Sequence, residues 1–185
     1  MSDARSDRFI HANGIDIHII EAGAGEPLIL LENGMISTNP LWSGWMSSYG
    51  SHVETLAQHF RVIVPDFRGS GRTVHPGGPV SHNLLADDMA ALSDALQLGP
   101  PFICGYGDGG VVATVIGIRK PDLHTITAPT LILVGDGDPF RRVEEGASAY
   151  RALPRGELAV LPNTANGITP AAIEATVQFF LRGLD

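Results

Sequence analysis

Short apolar runs alternate along this chain with segments of helical periodicity, and that alternation constrains its fold more than any other feature. Pro27–Leu31 is a continuous apolar run of the kind found in strands buried on both faces. Ile15 to Glu21 reads as a strand, and Gly14 before it marks a hairpin with Arg8 to Ala12. His52 to Phe60 reads as a short helix leading into the strand Arg61 to Val64. Ser81 opens a longer helix, with Leu84, Leu85, Met89, Leu92 and Leu96 at helical spacing. Pro101 to Cys104 is the next strand, and Asp108 to Arg119 a helix stopped by Pro121. The pattern closes with strand Thr130–Val134, helix Val143–Leu153, strand Leu158–Leu161 and helix Pro170–Leu181. Strands and helices taking turns at these lengths predict an α/β fold: a mostly parallel sheet flanked by helices and joined by right-handed crossovers. With no repeat, linker or low-complexity tract, residues 1–185 are expected to form a single domain large enough to bury a core.

Composition narrows the function classes. The formal net charge of −8 argues against nucleic acid or an anionic membrane as a partner, since both require clustered Lys and Arg. The single cysteine, Cys104, lies in an apolar run and reads as a structural thiol; one cysteine supports neither an intrachain disulfide nor a thiolate zinc site. The first residues are polar, without an apolar signal core, and no stretch approaches the ~18 apolar residues of a spanning helix. A soluble, cytoplasmic protein is expected.

Four motifs follow one another along the chain. Val64-Pro65-Asp66-Phe67-Arg68-Gly69-Ser70-Gly71-Arg72-Thr73 is a glycine-punctuated loop after a strand. Cys104-Gly105-Tyr106-Gly107-Asp108-Gly109-Gly110 sits at a strand-to-helix junction, Leu133-Val134-Gly135-Asp136-Gly137-Asp138 leaves a later strand, and Leu161-Pro162-Asn163-Thr164-Ala165-Asn166-Gly167 leaves the last. Their identity and order resemble the α/β-hydrolase superfamily over nearly the whole chain. The resemblance assigns the second motif to the G-x-S-x-G nucleophile elbow, the third to the loop carrying the acid at Asp138, and the fourth to the loop carrying the histidine.

The same resemblance exposes four departures. Gly107 stands at the nucleophile position and has no side chain with which to attack a carbonyl. Asp108 follows it; haloalkane dehalogenases use an Asp nucleophile, but at the apex itself, so Asp108 reads as a carboxylate at a helix N-terminus. Asn166 occupies the histidine position, and an amide is no general base at neutral pH. None of the seven histidines lies beyond His124, which is the nearest substitute. Glu32-Asn33 replaces the His-Gly pair of the oxyanion hole, where an ionised Glu32 would repel a tetrahedral oxyanion. Finally, only 31 positions separate Gly107 from Asp138, too few for the superfamily's sixth strand and cap domain.

What is left is a polar cluster of Glu32, Asn33, Asp138 and Asn166 beside an elbow opened by Gly107, with Trp42, Trp45 and Tyr106 as apolar walls and Asp108 at the rim. One reading is a non-hydrolytic family member that binds a small, largely apolar molecule, with Glu32 or Asp138 assisting a cyclisation, elimination or isomerisation. A second is a catalytically inactive pseudoenzyme, or an engineered variant, serving as a binding or assembly module, including a homodimer through the surface left by the missing cap and strand. Gly105, Gly107 and Gly110 also satisfy the G-x-G-x-x-G spacing of a dinucleotide loop; the hydrolase-like motifs around them account for the same glycines. No cofactor is implied. No metal is implied either, because Asp136 and Asp138 have no further ligand at metal-binding spacing.

Overall fold

Strand β1 (Ser6–Ala12) turns back through Asn13 and Gly14, both at positive φ, into β2 (Ile15–Ala22), giving the expected hairpin with Ala12 opposite Ile15. In the computed structural model, residues 6–31, 52–118, 126–139, 142–165 and 169–184 are described. They belong to two compact units, Met1–Ile116 and Gly117–Asp185.

In the first unit the apolar run Pro27–Leu31 is β3, and Arg61–Pro65 is β4. The predicted helix from His52 shortens to 52–56, here α1, and the chain turns through 57–60 before β4. Helix α2 (His82–Ala95) begins after Ser81, whose hydroxyl accepts the Leu84 N–H, as its capping residue type foretells. Strand β5 (Phe102–Gly105) leads into helix α3 (Asp108–Ile118). The sheet order is β1-β2-β4-β3-β5. The ladders β3–β4 and β3–β5 are parallel, as the alternation predicts, while β2 adds antiparallel pairing to β1 and β4 and makes the sheet mixed.

Ile17, Ile19, Ile29, Leu31 and Ile63 point from the sheet into one core with Leu85, Met89 and Leu92 of α2 and Val112 of α3. The 3.6-residue stripe read from α2 is therefore its buried face, each such side chain contributing about 1.5–3 kcal/mol. Strand β3 is buried over Leu28–Leu31, whereas β5 at the sheet edge is only half-buried. Cys104 shares that half-buried position, yet desolvation pushes its thiol up to about 12.

Two buried polar clusters fasten this unit. His18, 1% exposed, stands 2.8 Å from Asp66 through Nδ1 and 2.8 Å from Asp7 through Nε2, joining β1, β2 and the loop after β4. The hydrogen bond with His18, and then Arg72, hold the Asp7 carboxyl below its ordinary value despite desolvation. Asp88 of α2, wholly buried, accepts two hydrogen bonds from the Arg68 guanidinium at 2.9 and 2.6 Å and one from Asn13 at 2.6 Å.

The second unit holds β6 (Thr130–Gly135), α4 (Val143–Ala152), β7 (Gly156–Leu161) and α5 (Pro170–Leu181). Strands β6 and β7 pair in parallel, and both helices pack on that ladder. Thr169 caps α5 by accepting the Ala172 N–H, and Pro170 occupies its first turn, where its missing N–H costs nothing. Ile173, Val177 and Phe180 form the buried stripe of α5. Among the described residues no strand intervenes between β5 and β6.

Candidate functional site

The elbow is built at the end of β5. Gly105 pairs with Leu31, the last residue of β3, and the Tyr106 N–H donates to the Leu31 carbonyl at 3.0 Å. Gly109 and Gly110 then donate to the carbonyls of Tyr106 and Gly107 at 2.9 and 3.0 Å, starting α3. The turn is tight: a Cβ on Gly105 would run into the Gly109 carbonyl. Gly107 at the apex has φ +57°, a left-handed conformation that costs most other residues about 1 kcal/mol or more. Apex and rim are open, with Gly107 and Asp108 exposed and Tyr106 half-buried. Asp108 is the first residue of α3, as its place in the sequence suggests.

An ionisable neighbour that the sequence did not disclose stands beside it. Nε2 of His82, the first residue of α2, lies 3.9 Å from Oδ1 of Asp108, and both side chains are about half exposed, at 50% and 53%. Nothing in the linear spacing of positions 82 and 108 announces this pairing; the two helices share one core, and the fold brings their first residues together. His124 lies outside the described residues, as do Glu32, Asn33, Trp42, Trp45 and Asn166. Leu31, which precedes Glu32, ends its ladder opposite Gly105.

In the second unit the acid loop and the loop after β7 are stitched together. Asp136 accepts the Thr164 N–H at 3.1 Å, and the Gly137 N–H donates to the Thr164 carbonyl at 2.9 Å. Asp136 thus holds the turn, and Asp138 follows half-buried, its N–H donating to the Gly135 carbonyl at 3.3 Å. Among the described residues no three His, Cys, Asp or Glu side chains converge as a metal cluster would require. An open groove of about 440 Å³ runs beside the β1–β2 hairpin, lined by Phe9, Ile15, Arg72 and Val74 among others, and none of the expected site residues lines it.

A glycine-apexed elbow after the last strand of a mixed β1-β2-β4-β3-β5 sheet, followed directly by a helix, defines an α/β architecture. Residues 27–128 match the sequence profile described as alpha/beta hydrolase fold, and the chain belongs to that family. Its relatives include Epoxide hydrolase 3 of Siraitia grosvenorii, 32% identical over 121 residues that make up 61% of this chain and 34% of that protein. An epoxide hydrolase of Caballeronia sordidicola is 29% identical over 142 residues, 74% of this chain and 41% of the relative. The chain thus spans about a third to two fifths of the length of these curated relatives. Among solved structures, a meta-cleavage product hydrolase from Pseudomonas fluorescens superposes with a TM-score of 0.83 at 15% identity, covering 95% of this chain and 98% of that one; the likeness shows the fold. No helix among the described residues is long and apolar enough to cross a membrane.

Proposed function

We propose that this chain binds a small, largely apolar molecule at the elbow and works on it, if by chemistry, without a Ser-His-Asp triad. The observation that carries the reading is Gly107: the apex keeps its left-handed turn at φ +57° but offers no nucleophile. Asn166 at the histidine position removes the general base of the family pattern, and Glu32-Asn33 leaves no oxyanion hole of the usual kind. Glu32 is one peptide bond from Leu31, which pairs with the elbow, so its carboxylate is a first candidate for acid/base work in a cyclisation, elimination or isomerisation. Asp138 is the second. The relatives named as epoxide hydrolases make small apolar epoxides the first compounds to offer, followed by lactones and enones. Turnover or binding of at least one, reduced about 10-fold or more by Glu32→Gln or Asp138→Asn, is the expected result. Unchanged turnover and binding in both variants would sink the reading.

A second reading is favoured by one observation: β5 ends its sheet, with β3 as its sole strand partner among the described residues. An edge strand invites pairing with another chain, so a homodimer or a binding module completed at this edge is the alternative. Light scattering separates the two, since a monomer at high concentration removes the dimer.

A further inference from the structure

We propose that His82 and Asp108 form a proton-transfer pair at the mouth of the elbow, His82 exchanging the proton and Asp108 positioning the imidazole. The inference rests on the reading that the elbow retains a binding site, and it supplies a base in place of the one that Asn166 removes. Both groups sit on backbone that is fixed independently. His82 follows the Ser81 cap of α2, and Asp108 opens α3 directly after Gly107. Nε2 and Oδ1 are 3.9 Å apart, and no other described residue engages either side chain. Each is half exposed and so reachable by a molecule resting on the side-chain-free apex.

The chemistry follows from the arrangement. A neutral imidazole donates from one nitrogen and accepts at the other. A carboxylate facing Nε2 favours the proton there, which leaves the lone pair of Nδ1 to take a proton from a substrate. An exposed contact of this kind stabilises a fold little. His11 and Asp16 make a comparable exposed pair at 2.7 Å on the β1–β2 hairpin, which provides an internal control. The substrate class is a small apolar molecule with an activated C–H bond, whose carbon–hydrogen electron pair expels a leaving group on the same molecule.

The probe is 5-nitrobenzisoxazole. Nδ1 takes the ring C–H proton, that electron pair forms a nitrile, and the N–O bond breaks to release a coloured cyanonitrophenolate; the imidazolium then returns its proton to water. The full chain is expected to turn the probe over saturably and faster than free imidazole at equal concentration. His82→Ala and His82→Gln are expected to lose about 10-fold or more, with added imidazole restoring the Ala variant. Asp108→Asn should lower kcat with KM unchanged, with partial recovery in Asp108→Glu, and His11→Ala should leave the rate as it is. Acceleration that survives both His82 substitutions, or a loss in His82→Ala that imidazole does not restore, overturns the pair while leaving a site at Glu32 or Asp138 standing. A full chain no faster than free imidazole also overturns the pair, while the reading at Glu32 or Asp138 stands or falls on the variants at those two positions.

Discussion

Between pH of about 7 and about 4, an unfolded chain takes up a proton at each ordinary histidine, whereas His52 in the folded protein resists it. His52 is 3% exposed, and among the described residues neither ring nitrogen has a hydrogen-bond partner. Burial alone pushes it down from 6.5 to about 4. A folded value below the unfolded one means that the unfolded state holds more protons across that window. The associated stability is fully present above 6.5, declines as pH falls, and is gone once the pH has passed below about 4. Two and a half units at 1.36 kcal/mol each amount to about 3 kcal/mol, a large part of the stability of a domain this size. The assay is urea unfolding at a series of pH values for the wild type and for His52→Leu, which fills similar space and cannot titrate. Other groups titrate equally in both proteins, so the difference between the two curves isolates His52. It should grow by about 3 kcal/mol in favour of the variant as pH falls from about 7 to about 4. Parallel curves would refute the argument, because they would mean that the folded ring accepts its proton as readily as the unfolded one.

Other outcomes follow from the same packing. Asp88→Ala strands the Arg68 guanidinium, 7% exposed, without its counter-charge and should cost about 3–5 kcal/mol in urea unfolding; the double variant Arg68→Met, Asp88→Leu should recover most of it. Gly105→Ala drives a Cβ into the Gly109 carbonyl and should cost about 1–3 kcal/mol, read as a lower Tm. With its thiol pushed up to about 12, Cys104 should stay unlabelled by a thiol reagent at pH of about 8 until urea unfolds the chain; stoichiometric labelling of the native protein would contradict this.

The alternation of apolar runs and helical periodicity was enough to place β3, α2 and α5 close to their observed bounds, because each is a local pattern with its own cap or punctuating residue: Ser81, Thr169 and Pro170. The hairpin was legible for the same reason, its turn marked by Gly14. Helix 52–56 came out shorter than the run to Phe60 suggested, since a short segment without a strong stop signal leaves its end to tertiary packing. The mixed character of the sheet depends on β2 pairing with both β1 and β4, a non-local choice that periodicity does not encode. At the site, the elbow was legible through Gly105 and Gly107, whose roles are backbone roles fixed by their neighbours in sequence. The His82–Asp108 pair was not, nor were His18 with Asp66 or Asp88 with Arg68. Each joins residues through the fold, and an isolated His or Asp in a sequence carries no mark of the partner it meets.

If Gly107 and Asn166 have silenced an elbow that still stands, restoring the family's residues at those two positions should restore hydrolysis. The most direct test is hydrolysis of a short-chain p-nitrophenyl ester by the wild type and by the double reversion Gly107→Ser, Asn166→His. A side chain at φ +57° costs about 1 kcal/mol, which the turn should tolerate. The wild type is expected to hydrolyse the ester no faster than free imidazole at equal concentration, and the reversion to exceed that rate. Hydrolysis by the wild type beyond the rate of free imidazole would mean that a hydrolytic centre is still present.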